Sequence, residues 1–157
     1  MQKRWHSDTN SFHYNIQIGE MTPTLFDVYE ILGLVVDGDP VTCRPISDLR
    51  EFIDINLGIV PIGGNLAIIK HSWLKANFHT LLPDLTHVQV LRYTRAYMLF
   101  LISVTIFAYS SVATMPTRYL QFFEDIEEAG KYAWGAVALA YLYLFPWKNL
   151  YFQANTF

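Results

Sequence analysis

The chain has 157 residues with 11 basic and 14 acidic side chains, which gives a formal net charge of -3 at neutral pH. This acidic balance disfavours direct nucleic-acid binding, because a surface that neutralises many phosphates is usually basic. A single cysteine, Cys43, excludes an intrachain disulfide and a thiolate zinc cluster, and it favours a reducing compartment.

The length favours one domain, and the pattern of its first residues predicts a small β-hairpin. Apolar side chains alternate with polar ones from Phe12 to Ile18, which is the period of a half-buried strand. The turn-forming residues 8–11 stand before this strand, and Trp5 stands before the turn. The hairpin is therefore expected to pair the segment around Trp5 with the strand that begins near Phe12.

Three helices are predicted next from their capping residues and apolar spacing. The first begins after Thr24 and ends at Gly33, and the second begins after Asp48 and ends at Gly58. A third, shorter helix is expected from Ile69 to Leu81, because Trp73, Leu74 and Phe78 have helical spacing.

The longest helical pattern starts at Thr86 and contains a charge-free run from Ala96 to Met115. A run of about 20 apolar residues has the length of a membrane-spanning helix. However, serine and threonine side chains interrupt this run, and a compact helical domain also needs a central helix that is apolar on all sides. A buried core helix is the preferred interpretation, and a membrane span over residues 96–115 is the alternative. The β-branched Val104, Thr105 and Ile106 also allow the run to end as an extended segment.

The segment from Arg118 to Trp134 is the densest in aromatic and acidic residues. Its pattern predicts a helix from Thr117, a second short helix that ends at Gly130, and a last helix from Lys131 to Phe145. The many alanines of the last helix permit a neighbouring helix to approach closely. Residues 146–157 are predicted to form an irregular tail.

No residue pattern predicts catalysis or a cofactor. The histidine spacing does not place three metal ligands together, and consecutive acids such as Glu124 and Asp125 are typical of a solvated helix face. Cys43 has no histidine near it in sequence that would activate it as a nucleophile. The sequence contains no glycine-rich phosphate loop and no nucleophile elbow, so no catalytic, cofactor or metal residue is proposed.

Arg92 and Arg95 lie on adjacent turns of the long helical pattern. They could bind a phosphate or an acidic partner. The preferred interpretation is that they pair with Glu127, Glu128 or another buried acid of the same chain.

Five blocks of sequence, in this order and spacing, resemble the plant mobile domain, a family that includes the maintenance-of-meristems proteins and the long-form homologues of plant serine/threonine phosphatase 7. The blocks are RWHSDTNSFH at 4–13, GEMTPTLFDVYEILGLVVDGDPVT at 19–42, SWLKANF at 72–78, RAYMLFLI at 95–102 and RYLQFFEDIEEAGKYAWGAVALAYLY at 118–143. The resemblance covers residues 4–145 and roughly the first half of such a domain.

The resemblance implies a transposon-related, non-enzymatic domain that acts through protein partners in the nucleus, in gene and transposon silencing and in meristem maintenance. A phosphatase or a chromatin factor is the implied kind of partner. The sequence motifs of a metallophosphatase are absent, and no aminotransferase activity is implied despite the name "aminotransferase-like" that is used in the family. The expected fold is mainly α, a compact multi-helix domain with a small N-terminal β-hairpin.

The chain departs from the family pattern at Ser103, Val104, Ala108, Tyr109 and Gln121.

A partial domain is expected to expose apolar faces, so self-association or partner binding is predicted at the helix from Ala133 to Phe145. A weaker alternative is nucleic-acid binding through Lys3, Arg4, Arg92 and Arg95. The candidate structural and interaction residues are Trp5, Trp73, Arg92, Arg95, Arg118, Glu124, Asp125, Gly130 and Trp134.

Overall fold

The computed structural model describes residues 4–6, 11–15, 19–80, 83–107 and 113–144. The chain separates into two compact units: Met1–Pro40 with Tyr132–Phe157, and Val41–Lys131. The predicted tail, residues 146–157, lies outside the described residues.

Helices make up most of the regular structure, so the prediction of a mainly α fold with a small N-terminal antiparallel element is confirmed. The elements in chain order are β1 (Arg4–His6), β2 (Ser11–Asn15), β3 (Gly19–Met21), α1 (Leu25–Leu32), α2 (Leu49–Leu57), β4 (Ile68–Lys70), α3 (His71–Phe78), α4 (His87–Thr105), β5 (Thr114–Pro116), two 3-10 helices (Thr117–Phe123 and Glu128–Lys131) and α5 (Trp134–Leu144).

The first unit contains an antiparallel sheet in the order β1-β2-β3. Trp5 lies opposite Phe12, as the predicted hairpin requires, and Phe12 also lies opposite Met21 of β3. The third strand was not predicted. Helix α1 has the predicted capping box at Thr24 and ends at Gly33, whose φ of 64° lies in the left-handed region that favours glycine. Helix α5 packs against α1.

The second unit is built around α4, which contacts α2, α3, β5 and the first 3-10 helix. The caps predicted for α2 at Asp48 and for α4 at Thr86 are both formed. The core of this unit includes the fully buried side chains of Ile53, Leu57, Ile69, Leu99, Met115, Leu120 and Phe123. Burial of these large apolar groups is the main stabilising contribution to the unit.

The predicted helix through the apolar run from Ala96 to Met115 is wrong in its extent, because α4 ends at Thr105. Residues 114–116 instead form β5, which pairs antiparallel with β4. The same pairing shortens the predicted third helix, since Ile69 belongs to β4 and α3 begins at His71. Within the described ranges, none of the helices combines the length and the apolar character needed to cross a membrane.

The segment from Arg118 to Trp134 also differs from its prediction, because its two helices are of the 3-10 type. A 3-10 helix has three residues per turn, so residues three positions apart lie on one face. Thr117, Leu120 and Phe123 have this spacing, and all three are fully buried. The burial pattern of this segment therefore has the period of a 3-10 helix. Lys131 ends the second 3-10 helix, and α5 begins at Trp134.

Candidate functional site

Arg95 joins the C-terminal ends of two helices in the second unit. Its Nε donates to the carbonyl oxygen of Phe123 at 3.0 Å, and its Nη2 donates to that of Glu124 at 2.7 Å. Its Nη1 lies 3.5 Å from the carbonyl oxygen of Asn56, near the end of α2. Carbonyls at helix ends lack partners within the helix and carry partial negative charge. Arg95 belongs to α4 and donates hydrogen bonds to these carbonyls. It thereby connects α4 to α2 and to the first 3-10 helix.

Arg92 lies one turn before Arg95 and packs against the residue that ends α2, Gly58. A Cβ atom placed on Gly58 would lie 2.4 Å from Nη1 of Arg92, and the φ of Gly58 is 74°. Glycine is therefore favoured by the left-handed backbone conformation, and a Cβ at this position would also displace the guanidinium of Arg92. The positive charge of Arg92 interacts favourably with the partial negative charge at the C-terminal end of α2. The Nε atom of Arg92 is buried and has no hydrogen-bond partner among the described residues.

The contact between Gly58 and Arg92 predicts non-additive mutational effects. We expect Gly58→Ala to lower the free energy of unfolding by about 2 kcal/mol, with contributions from the left-handed backbone and from the displaced guanidinium. In an Arg92→Ala background the second contribution disappears, so the same substitution is expected to cost about 1 kcal/mol. Urea denaturation of the four proteins of this double-mutant cycle measures the difference. Equal costs of Gly58→Ala in both backgrounds would show that the contact has no energetic effect.

The prediction that Arg92 and Arg95 pair with Glu127, Glu128 or a buried acid is wrong. Among the described residues the ion pairs join Arg44 to Glu124 and Lys131 to Glu128. Arg95 instead uses main-chain carbonyls, because its guanidinium lies between two helix ends.

The acidic segment itself has a local structural role. Asp125 accepts hydrogen bonds from the backbone N–H groups of Glu127 at 3.0 Å and Glu128 at 3.3 Å. Glu124 accepts a hydrogen bond from the guanidinium of Arg44, in an ion pair that is open to solvent and therefore contributes little stability. These contacts position the chain after the first 3-10 helix.

Arg118 and Cys43 are placed near each other without forming a reactive pair. The guanidinium carbon of Arg118 lies 5.5 Å from the centre of the neighbouring Tyr119 ring. Burial raises the pKa of the Cys43 thiol, and the positive charge of Arg118 only partly offsets this effect. A thiol whose pKa is raised is a poor nucleophile at neutral pH.

The three candidate tryptophans lie in different elements and do not form one site. Trp73 is half-buried in α3 and contacts Phe78 edge to face, with ring centres 6.1 Å apart. Trp134 is buried at the start of α5, and its ring centre lies 6.2 Å from that of Tyr132. The backbone of Trp5 lies in β1, and its side chain lies outside the described residues.

Gly130 lies one residue before Lys131, which ends the second 3-10 helix, so the predicted end of that helix is correct to within one residue. It lies within the second 3-10 helix, its φ is outside the left-handed region, and a Cβ placed on it would meet no atom within 4 Å. The close approach in this part of the chain occurs at Gly135. A Cβ there would lie 2.6 Å from Cγ1 of Val36 and 3.0 Å from the carbonyl oxygen of Val35.

His71, the first residue of α3, is half-buried, and its Nε2 atom is fully buried. Its ring packs edge to face on Phe100 with centres 5.4 Å apart, and its Nε2 has no hydrogen-bond partner among the described residues. Burial lowers the pKa of this imidazole below its ordinary value of 6.5, because the charged form loses hydration.

The lowered pKa of His71 predicts a pH-dependent stability. The unfolded chain binds a proton at His71 more readily than the folded chain, so the stabilisation is fully present above pH 6.5 and is lost as the pH falls towards the lower folded pKa. We expect His71→Phe to flatten this part of the curve of unfolding free energy against pH. An unchanged slope in His71→Phe would contradict the assignment.

Helix α1 presents an exposed apolar surface in the first unit. Val28 is its one buried side chain, whereas Leu25, Phe26, Tyr29 and Leu32 are between 41% and 68% exposed. These four residues, called the α1 face below, cover a continuous arc of the helix by their spacing. Contiguous exposed apolar residues of this kind mark interaction surfaces.

A groove between α3 and α4 is the second exposed apolar feature, and it was not predicted. One recess of about 410 Å³ lies between the two helices and is lined in part by Leu74, Phe78, Tyr97 and Phe100. A neighbouring recess of about 350 Å³ shares Phe78, His79 and Tyr97. The pairs Leu74 with Phe78 and Tyr93 with Tyr97 are four residues apart, and this spacing was the available signal.

The described part of the chain contains no cluster of three or more histidine, cysteine or acidic residues that could hold a metal ion.

Residues 1–145 match the family model of the plant mobile domain. The chain belongs to the plant mobile domain family. The resemblance inferred from the five sequence blocks is therefore confirmed. No solved structure matches the chain.

Relatives of this plant mobile domain occur in Arabidopsis thaliana. Protein MAIN-LIKE 2 is 41% identical over 143 residues, and Protein MAINTENANCE OF MERISTEMS is 42% identical over 146 residues. Each match covers 90% of this chain, but only 21% and 30% of the respective relative. The chain thus spans less than a third of the length of these relatives.

A further relative is the serine/threonine-protein phosphatase 7 long form homolog of the same plant, which is 34% identical over 143 residues. That match covers 90% of this chain and 10% of the relative. The similarity is therefore confined to a small part of that protein.

Proposed function

We propose that this plant mobile domain is a non-catalytic protein-interaction module that acts in the nucleus, in gene and transposon silencing and in meristem maintenance. The family membership supports the proposal, as does the name of the relative Protein MAINTENANCE OF MERISTEMS. The proposed partner is a nuclear protein, either a phosphatase or a chromatin factor.

The observation that carries the proposal is the exposure of the α1 face. A helix of eight residues that buries only Val28 leaves its large apolar side chains in contact with water. Covering such side chains with a partner removes apolar area from water and contributes about 25 cal/mol for each Å² that is buried. Aromatic side chains such as Phe26 and Tyr29 are among the residue types enriched at protein interfaces.

The α1 face offers more exposed apolar surface than the helix predicted for self-association, α5. The small residues of α5 contact its own unit, since the N–H of Gly135 donates to the carbonyl oxygen of Val35 at 2.7 Å. Trp134, Gly135 and Ala138 are buried, and Leu144 is the exposed large apolar residue of α5. We therefore place the partner surface on α1, and self-association through residues 133–145 remains a prediction.

The proposal is tested by affinity purification of the tagged chain from plant nuclei. The double substitution Phe26→Ser and Tyr29→Ser removes the aromatic part of the α1 face. The matched control is Ile55→Ser with Ile59→Ser, two exposed apolar residues of the second unit. We expect the unmodified chain and the control to retain a phosphatase or a chromatin factor, and the α1 variant to lose it.

Equal retention by the α1 variant and the control would contradict the assignment of the partner to α1. Absence of any phosphatase or chromatin factor from all three samples would contradict the proposed function. Light scattering of the purified chain over a range of concentrations tests self-association, which predicts a mass that increases with concentration.

A further inference from the structure

We propose that the groove between α3 and α4 binds an acidic amphipathic segment of a partner protein. This inference rests on the proposed function as an interaction module, and it adds the chemistry of the segment that is recognised. The groove is defined here by Leu74, Lys75, Phe78, His79, Tyr93, Thr94, Ala96, Tyr97 and Phe100.

The shape of the groove suits an elongated apolar ligand. Its two recesses share Phe78, His79 and Tyr97, so they form one continuous depression along the helix pair. Each recess has a volume within the range of ligand sites in proteins. A depression between two helices is the shape that receives one face of a further helix.

The floor of the groove is apolar and its aromatic side chains are fixed by packing. Leu74 and Ala96 are buried, and Phe78 contacts Tyr93 edge to face with ring centres 5.2 Å apart. Tyr97, in contrast, is 62% exposed. An exposed aromatic beside an apolar floor is the usual composition of an interface hot spot. The ligand is therefore expected to contribute leucine or aromatic side chains.

The polar residues at the rim of the groove indicate that the polar side chains of the ligand are acidic. Lys75 and His79 are four residues apart, so they lie on the same side of α3, and both are exposed. The described residues that line the groove include no acid, and neither Lys75 nor His79 has an acidic partner within the described ranges. In a chain of net charge -3, an acid-free groove with an exposed lysine at its rim, and a histidine that can donate a hydrogen bond beside it, is complementary to carboxylates. One lysine and one histidine are too few for a surface that tracks a nucleic-acid backbone.

The test is selection of a displayed library of random peptides of about 16 residues, roughly four helical turns, on the full chain. We expect the enriched peptides to carry a net negative charge and to have leucine or aromatic residues three or four positions apart. The affinity of synthetic copies is then measured by fluorescence anisotropy for the unmodified chain and for two groove variants, Tyr97→Ala and Lys75→Glu.

Two matched controls lie outside the groove. Ile55→Ala truncates an apolar side chain of α2 that is as exposed as Tyr97, and Lys70→Glu reverses the charge of an exposed lysine of β4. We expect Tyr97→Ala to weaken peptide binding about thirtyfold, as for a central aromatic anchor. Lys75→Glu is expected to weaken it about tenfold and to reduce its dependence on salt. Both controls are expected to bind like the unmodified chain.

Enrichment of basic peptides, or peptide binding that Tyr97→Ala and Lys75→Glu leave unchanged, would overturn the proposal. A stable dimer that Tyr97→Ala dissociates would also overturn it, because the groove would then hold a second copy. Preference of the groove for single-stranded DNA over the peptides would have the same consequence. None of these outcomes changes the result expected from affinity purification with the α1 variant. A failure of the groove proposal is therefore distinguishable from a failure of the proposed function.

Discussion

Replacement of Arg95 by methionine is expected to lower the free energy of unfolding by about 3 kcal/mol, because helix-end carbonyls are left without their charged donor. The side chain bonds Phe123 and Glu124 and approaches Asn56, so the loss affects two helix ends at once. Methionine keeps the apolar length of the side chain, and the effect therefore reports the guanidinium.

Two further substitutions test whether the lost hydrogen bonds of the guanidinium cause the decrease in the free energy of unfolding. Arg95→Lys keeps the charge but not the planar fork of donors, and it is expected to cost about half as much as Arg95→Met. Arg118→Met removes an exposed guanidinium and is expected to change stability by less than about 0.5 kcal/mol. Urea denaturation followed by circular dichroism measures all three. An Arg95→Met loss no larger than that of Arg118→Met would show that the carbonyl contacts are unimportant.

The second large effect is expected at Gly135. Alanine in place of glycine within a helix ordinarily stabilises by up to about 1 kcal/mol. At Gly135 the added Cβ would meet Val36 and two main-chain carbonyls, those of Leu34 and Val35, at 2.6 to 3.1 Å. We expect Gly135→Ala to destabilise the first unit by about 2 kcal/mol, because the backbone of residues 34–36 has to move.

Gly130→Ala is the matched control for this prediction, since a Cβ at Gly130 meets no atom within 4 Å. It is expected to be neutral within about 0.5 kcal/mol. Thermal unfolding of the two variants beside the unmodified chain makes the comparison. If Gly135→Ala were as stable as Gly130→Ala, the close packing of α5 on residues 34–36 would be contradicted.

Local signals in the sequence were sufficient for the helix ends. Thr24, Asp48 and Thr86 each cap a helix through hydrogen bonds to backbone groups two or three residues ahead. Gly33 and Gly58 end helices in the left-handed conformation. Such features depend only on neighbouring residues, so they can be inferred without knowledge of the tertiary structure.

Pairings between distant residues could not be inferred in this way. The strand β5 forms because residues 114–116 meet β4, which lies more than forty positions earlier. Apolar side chains with β-branched neighbours suit a helix or a strand equally well, and the tertiary pairing decides between them. This pairing is why the helical prediction extended too far at both Ile69 and Met115.

The arginines show the same limit at the level of single side chains. Their spacing placed Arg92 and Arg95 on adjacent turns, but the main-chain partners of Arg95 could not be predicted from it. A guanidinium binds a carboxylate or several carbonyls, depending on which groups the fold brings near it. The groove between α3 and α4 was missed for a related reason, since it depends on the packing of two helices separated by a loop.

The most direct test of the central claim, that the α1 face contacts a nuclear protein, is site-specific photocrosslinking. A photoreactive phenylalanine analogue replaces Phe26 in one sample and the fully exposed Ile62 of the second unit in another. Irradiation in nuclei followed by mass spectrometry identifies the adducts. We expect an adduct with a phosphatase or a chromatin factor from position 26 that is absent from position 62. The same adducts from both positions, or none from position 26, would contradict it.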